Sequence, residues 1–256
     1  MNPQTIKSLN MTDVVKPYRP EESKKAQVAD MFDNIAHSYD FLNHFFSLGI
    51  DILWRKKAIR ALRKTNPAHI VDIASGTGDF AIEAIRMKAV SGTVTGVDIS
   101  EGMLEVGRKK MRKRGIEDRV KMVVGDSENL QFPDNNFDGL TVGFGVRNFE
   151  NLEKGLSEML RVIKPGALAC ILEFSKPSKF PMKQLFGFYF RFIMPLVGKI
   201  VSKDSRAYTY LPESVQAFPE GPEFVKIMEK CGYTEVVAKP LTGGIATIYF
   251  GKKKNA

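Results

Sequence analysis

A chain of 256 residues with 43% apolar and 26% charged side chains can bury one substantial core, which excludes a wholly disordered polypeptide and points to a large single domain with some helical extension. Its two cysteines, Cys170 and Cys231, lie far apart and form no C-x-x-C, which argues against a disulfide framework or a zinc centre and suits a reducing compartment. The net charge of +9 fits a solvated basic surface, a nucleic-acid face or an anionic membrane face, and charge alone does not choose among them.

Residues 1–22 are polar, carry Pro3, Pro17 and Pro20, lack a basic-then-apolar leader pattern, and are expected to form a flexible or loosely docked arm. Ser23 is placed to cap a helix running to about residue 35, with Val28, Met31, Phe32 and Ile35 on one face. A second helix is expected over 39–46. A third is expected over 51–62, ending in a basic turn that suits the helix dipole. From Pro67 the pattern changes to strands (70–74, 93–99, 120–124, 137–142, 167–174) alternating with helices (80–87, 101–114, 152–163). That alternation predicts a parallel sheet with helices on both faces. Pro165-Gly166 is read as the stop of one helix and the turn into the next strand. The aromatic and basic stretch 178–218 interrupts the alternation and reads as an inserted helical cap. A last core helix (222–230) precedes strands 233–239 and 245–251. The short Gly243-Gly244 link between these strands requires an antiparallel closing pair. No stretch reads as a membrane span, because the most apolar one, 185–201, is interrupted by Arg191, Pro195 and Lys199.

The sequence VDIASGTGDFA, 71–81, falls between a strand and a helix. Gly76 and Gly78 permit a sharp turn and the close approach of a ligand. Twenty residues beyond Gly78, Asp98 ends the next strand, where a carboxylate can accept from ribose hydroxyls. The glycine spacing alone also fits a dinucleotide site. Asp79 at the start of the helix would repel a pyrophosphate, however, and Asp72 points at the same turn. S-adenosylmethionine (SAM), with an ammonium and a sulfonium and no phosphate, tolerates both carboxylates. Asp126 and Ser127 follow the third strand at the carboxyl edge of the sheet, where an adenine amino group and ring nitrogen could be met. The reading is thus a SAM-dependent methyltransferase, against an NAD-dependent oxidoreductase and a non-enzymatic SAM-fold binding protein. Amino-group methylation of nucleic-acid bases uses an Asn/Asp-Pro-Pro-aromatic motif after the fourth strand. The chain has GFGVRN there, so no nucleic-acid partner is expected.

Five pieces, MFDNIAHSYDFLNHFFSLGID (31–51), DIASGTGD (72–79), FPDNNFD (132–138), GFGVRNFEN (143–151) and LEFSKP (172–177), resemble the ubiquinone/menaquinone biosynthesis C-methyltransferase family, and within it the demethylmenaquinone methyltransferases. The resemblance spans roughly 27–254. It implies a Rossmann-like class I SAM-dependent methyltransferase with a seven-stranded, mostly parallel sheet and an antiparallel closing strand. It further implies one domain over 23–256, divided into N-terminal helices 23–66, a core of 67–177 and 219–256, and the cap 178–218. SAM contacts carry over onto Thr77, Asp98, Asp126 and Ser127. Relatives often hold a cofactor-contacting serine where this chain has Gly143. The implied reaction methylates a ring carbon of a prenylated quinol, demethylmenaquinol or the corresponding ubiquinone intermediate. It needs alignment, exclusion of water and help with phenol deprotonation, but no metal.

Candidates for that help are Arg147, as stabiliser of the developing phenolate with a water as proton acceptor, together with Asn148 and Tyr39. Tyr39 could equally pack in the core, and Arg147-Asn148 could be an ordinary loop. His37 and His44 are seven apart with no third ligand, which argues against a metal site, and His69 begins a strand. The cap run Phe186, Phe188, Tyr189, Phe190, Phe192, Met194 and Leu196, beside Arg191, Lys199 and Lys203, reads either as a structural lid or as a surface for a membrane-borne substrate. A cytoplasmic enzyme touching the inner membrane face is the expected setting. Pairing into a homodimer stays open.

Overall fold

Apolar side chains of the first strand alternate across the sheet. Val71 and Ile73 face one core layer and Ile70 the other, so the strand must be covered on both sides. The computed structural model describes residues 15–255 apart from Pro20, Leu48, 190–191 and 193–204. The expectations for most of the arm (1–14) and for Phe190, Arg191, Met194, Leu196, Lys199 and Lys203 lie outside the described residues, as does the side chain of His44. The elements are α1 Lys24–Phe46, α2 Ile50–Arg63, β1 His69–Ile73, α3 Asp79–Arg86, β2 Thr93–Asp98, α4 Glu101–Arg114, β3 Val120–Val124, β4 Phe137–Gly143, a 3-10 turn Val146–Asn148, α5 Leu152–Val162, β5 Ile163–Phe174, α6 Met182–Phe188, α7 Ser205–Ala217, α8 Pro222–Lys230, β6 Tyr233–Leu241 and β7 Ala246–Lys253.

The seven strands lie in the order β3-β2-β1-β4-β5-β7-β6. The first five run parallel, and β7 is antiparallel to both β5 and β6. This is the sheet the sequence predicts. One core layer joins the sheet to α2, α3 and α4 through Ala58, Ile59, Leu62, Phe80, Ala84 and Leu104. The other joins it to α5 and α8 through Leu156, Met159, Phe224 and Met228. Each fully buried aliphatic or aromatic side chain contributes roughly 1.5–3 kcal/mol.

Two expectations are corrected. The break expected between 35 and 39 is absent, and α1 runs unbroken over 23 residues. No glycine or proline falls within it, and Ile35 and Ala36 are buried, so packing carries the helix through. Strand β5 begins at Ile163 rather than 167, because Ile163 already pairs with Phe137 before a register shift. Pro165-Gly166 therefore sits in a bulge inside the strand, where a missing N–H costs no ladder bond and Gly166 takes φ +75°.

Helix α1 crosses the carboxyl edge of the sheet and is pinned by polar contacts. Lys24 Nζ donates to the carbonyls of Arg147 (2.9 Å) and Phe149 (3.0 Å). Asp33 Oδ1 accepts from Ser100 Oγ (2.5 Å) and Gly102 N (2.8 Å) at the start of α4. Val28, Met31 and Ile35 pack with Tyr210 of α7, which ties the N-terminal helix to the cap.

Candidate active site

Three contiguous clefts open at the carboxyl edge of the sheet. The first lies under α1 and is lined by Tyr39, Gly76, Asp98, Asp126, Ser127 and Asn148, among others. The second is a small polar space bounded by Asp72, Ser75, Thr77 and Arg55. The third is an apolar cavity of about 420 Å³ between α2 and the cap, lined by Trp54, Phe174, Leu185, Phe186, Phe188 and others. Phe144 lines all three.

The turn after β1 shapes the first two. Gly76 and Gly78 take φ +54° and +82°, in the left-handed region where a Cβ is strained. Asp98 folds back onto this turn. Its Oδ2 accepts from Gly76 N (2.7 Å) and its Oδ1 from Ser100 N (2.9 Å). Burial raises its pKa, and the backbone donors oppose that rise. The remaining lone pairs of a carboxylate so held can accept from a diol. Asp126 accepts from Glu128 N (2.9 Å) and from Lys25 Nζ (2.7 Å), so α1 reaches across to the expected adenine-recognising group.

Asp72 is 1% exposed. Thr141 Oγ1 donates to its Oδ1 (2.7 Å), while Oδ2, like the hydroxyl of Ser75, has no hydrogen-bond partner among the described residues. Burial lifts its pKa to about 7. A buried carboxylate oxygen without a donor is costly, and an ammonium group supplied by a ligand would satisfy it. Thr77 is engaged elsewhere, donating to Asp40 Oδ1 (2.5 Å) and accepting from Lys110 Nζ (2.9 Å). Asp79 is shared between Lys110 (2.6 Å) and Arg55 (3.0 Å). Its charge is therefore largely neutralised, and the exclusion of a pyrophosphate by Asp79 alone is weaker than the sequence suggests. Gly143 has a steric reason: a Cβ there would stand 2.4 Å from Cε2 of Phe80.

Tyr39 and Asn148, two of the three expected catalytic residues, line the first cleft. The Tyr39 ring meets Phe32 edge-on, with centroids 5.8 Å apart, and burial raises its phenol pKa. Asn148 Oδ1 accepts from Tyr210 of the cap (3.2 Å). Arg147 is not among the residues lining any of the three clefts. Its Nη1 donates to Glu173 Oε1 (2.9 Å) and to the Phe144 carbonyl, and its guanidinium carbon stands 5.5 Å from the centre of the Phe174 ring. Glu173 is fully buried, and sequence reading missed it although it lies within LEFSKP. Also missed were Asp40, Lys110, Asp51 and Arg55. Only the i, i+4 spacing of Asp51 and Arg55 offered a signal.

A parallel sheet reversing at β1/β4, a glycine turn beneath an acidic strand end, and a buried carboxylate suited to an ammonium together define a class I SAM-dependent methyltransferase. A SAM-dependent methyltransferase of Thermotoga maritima shares the fold, with TM-score 0.59, 21% identity, and coverage of 88% of this chain and 99% of that one. The chain belongs to the ubiE/COQ5 methyltransferase family, whose model matches residues 20–253. It is 48% identical to a demethylmenaquinone methyltransferase of Bacteroides fragilis, over 93% of this chain and 97% of that protein. It is 43% identical to a ubiquinone/menaquinone biosynthesis C-methyltransferase of Geobacter sulfurreducens, over 92% and 91%.

Proposed function

We propose that the enzyme methylates a ring carbon of demethylmenaquinol, giving menaquinol and S-adenosylhomocysteine. The observation that carries this is the apolar, aromatic cavity of about 420 Å³ that joins the cofactor clefts through Phe144. An acceptor entering there is stripped of water and delivered beside the methyl donor. When bound, SAM supplies an electrophilic methyl group. Asp98 would hold the ribose hydroxyls, Asp126 and the Ser127 backbone would hold the adenine edge, and Asp72 would take the ammonium on its unpartnered oxygen. Gly76 and Gly78 keep the turn close to the ligand. Thr77 keeps its place by the methionine end through Asp40 and Lys110. Asn148 and Tyr39 face the junction with the acceptor. Arg147 holds the Phe144 backbone that separates the two reactants.

The cap offers the route from the membrane. Phe180 (81% exposed), Leu185, Phe188 and Phe192 are all more than half exposed, beside Lys179 and Lys183. Aromatic anchors next to lysines suit an anionic lipid surface. No helix of the described residues is long and apolar enough to cross a membrane. On this reading the enzyme works in the cytoplasm and meets its substrate at the inner face of the membrane.

Transfer of tritium from methyl-labelled SAM tests the assignment, with short-tailed demethylmenaquinol and the matching ubiquinone-pathway benzoquinol as competing acceptors. Label is expected in menaquinol. Label in the benzoquinol alone would move the enzyme to the ubiquinone pathway, and label in neither would refute a quinol acceptor.

A further inference from the structure

The apolar cavity is lined by few charged groups. Among its described residues the only acidic or basic side chains are Asp51 and Arg55, both from α2 and one turn apart. Both are almost completely buried. An ion pair facing a largely apolar cavity costs desolvation on both partners, which a purely structural contact does not readily repay. Arg55 also lines the polar space around Asp72, so its guanidinium stands at the boundary between the methionine end of the cofactor and the acceptor. Its bonding is one-sided. Nη2 makes both of its contacts, to Asp51 Oδ2 and to Asp79 Oδ2 (3.0 Å), while Nη1 and Nε donate to none of the described residues. Asp51 is oriented by Ser47, whose hydroxyl donates to Oδ1 at 2.5 Å.

Resting on the quinol-methylating reading, we propose that Arg55 and Asp51 form the acceptor-activating pair, Arg55 donating to the quinol oxygen next to the methylated carbon and Asp51 taking that oxygen's proton. The hydroxyl O–H bond breaks and its proton passes to the Asp51 carboxylate. The electron pair left on oxygen feeds the ring, and the ring carbon forms its bond to the methyl group. The sulfur–methyl bond breaks with its electrons kept on sulfur, and the ring carbon then releases its own proton to solvent, its C–H electron pair restoring aromaticity and returning the negative charge to the oxygen, which takes its proton back from Asp51. The pair solves an electrostatic problem of the cavity: the anion created on the quinol faces a cation, and the proton stays inside the site, so no net charge is buried at the moment of transfer. Ser47 and Asp79 hold the two partners in place.

Trp54 is the only tryptophan in the chain and lines the same cavity, so quenching of its fluorescence by a short-chain menaquinone measures acceptor-site binding without turnover. Turnover of short-tailed demethylmenaquinol and calorimetric SAM affinity complete the test. For Asp51→Asn, menaquinone binding should stay within twofold of wild type while kcat falls about 10²- to 10⁴-fold, the usual range for loss of a general base. For Arg55→Gln, both menaquinone affinity and kcat should fall, with Arg55→Lys recovering part of the affinity. SAM affinity should stay within twofold in Asp51→Asn, since Asp51 lines the acceptor cavity and not the polar space around Asp72. The doubly neutral Asp51→Asn/Arg55→Gln variant removes the ion pair without stranding a charge, and should fold and bind SAM yet remain inactive. Turnover above a tenth of wild type in Asp51→Asn or in the double variant overturns the pair. So does a loss in Arg55→Gln that follows SAM affinity alone, which would make Arg55 a cofactor ligand. A wild-type enzyme that neither turns over demethylmenaquinol nor is quenched by menaquinone refutes the quinol reading itself, a result distinct from active wild type with active variants.

Discussion

Asp98 and Asp72 illustrate how a buried carboxylate differs with its donors. Asp98 receives two backbone N–H groups, so its removal leaves both unsatisfied and, on the proposed function, takes away the acceptor for the ribose. Asp98→Ala should weaken SAM binding by about 1.5–3 kcal/mol, as for a hydrogen bond to a charged group. Calorimetric titration checks this, and unchanged affinity would remove Asp98 from the site. Asp72 has one donor and a pKa of about 7 against an ordinary 3.8. Its folded-state pKa is raised, so its contribution to stability is complete below about pH 4 and is lost as pH rises toward 7. An ammonium bound to Oδ2 favours the ionised form. SAM binding near pH 6.5 should therefore release a proton, and affinity should fall as pH drops below about 7. Calorimetry in buffers of different ionisation enthalpy measures that proton, and it should vanish in Asp72→Asn.

The 3-10 turn Val146–Asn148 and strand β5 share the Arg147–Glu173 pair, whose side chains are 7% and 0% exposed. Arg147→Ala strands Glu173 as a buried charge, and stability should fall by about 3–5 kcal/mol in urea denaturation. With its hold on the Phe144 carbonyl gone, kcat should fall too. SAM affinity should change little, since Arg147 lines none of the clefts. Adding Glu173→Gln should restore much of the stability but not the rate. A rate restored along with stability would make the pair purely structural. Helix α1 shows a different dependence. Its residues Lys25, Asp33 and Asp40 bond to Asp126, Ser100 and Thr77, so a helix remote in sequence completes the cofactor cleft.

At the scale of the molecule, the role proposed for the cap is to couple a membrane-borne acceptor to an aqueous cofactor. Phe186 is 9% exposed and lines the cavity, whereas Phe180 and Phe192 are 81% and 55% exposed and lie outside its lining. These residues should separate two tasks. Phe180→Ser with Phe192→Ser should reduce sedimentation with anionic vesicles and slow turnover of long-tailed quinol, while sparing a short-tailed analogue. Phe186→Ser should impair both substrates. Equal loss on both substrates for the exposed pair would return the cap to a structural role.

The alternating strands and helices, the antiparallel closing pair, the glycine turn and the acidic strand ends Asp98 and Asp126 were legible in the chain. Each is encoded locally, by periodicity over a few residues or by the φ freedom of Gly76 and Gly78. Helix α1 as one piece, and β5 starting at Ile163, were not, because burial of Ile35 and Ala36 and the pairing of Ile163 with Phe137 are made by distant partners. The same holds for the charged groups. Nothing local distinguishes Asp40 or Lys110 from solvated surface residues, or Arg147 from a cleft residue. Arg55 becomes a cleft residue when α2 packs beside α3, and Arg147 leaves the clefts when β5 brings Glu173 beneath it. A buried charge takes its role from its counter-charge, and which counter-charge it meets is decided only when the helices and the sheet come together.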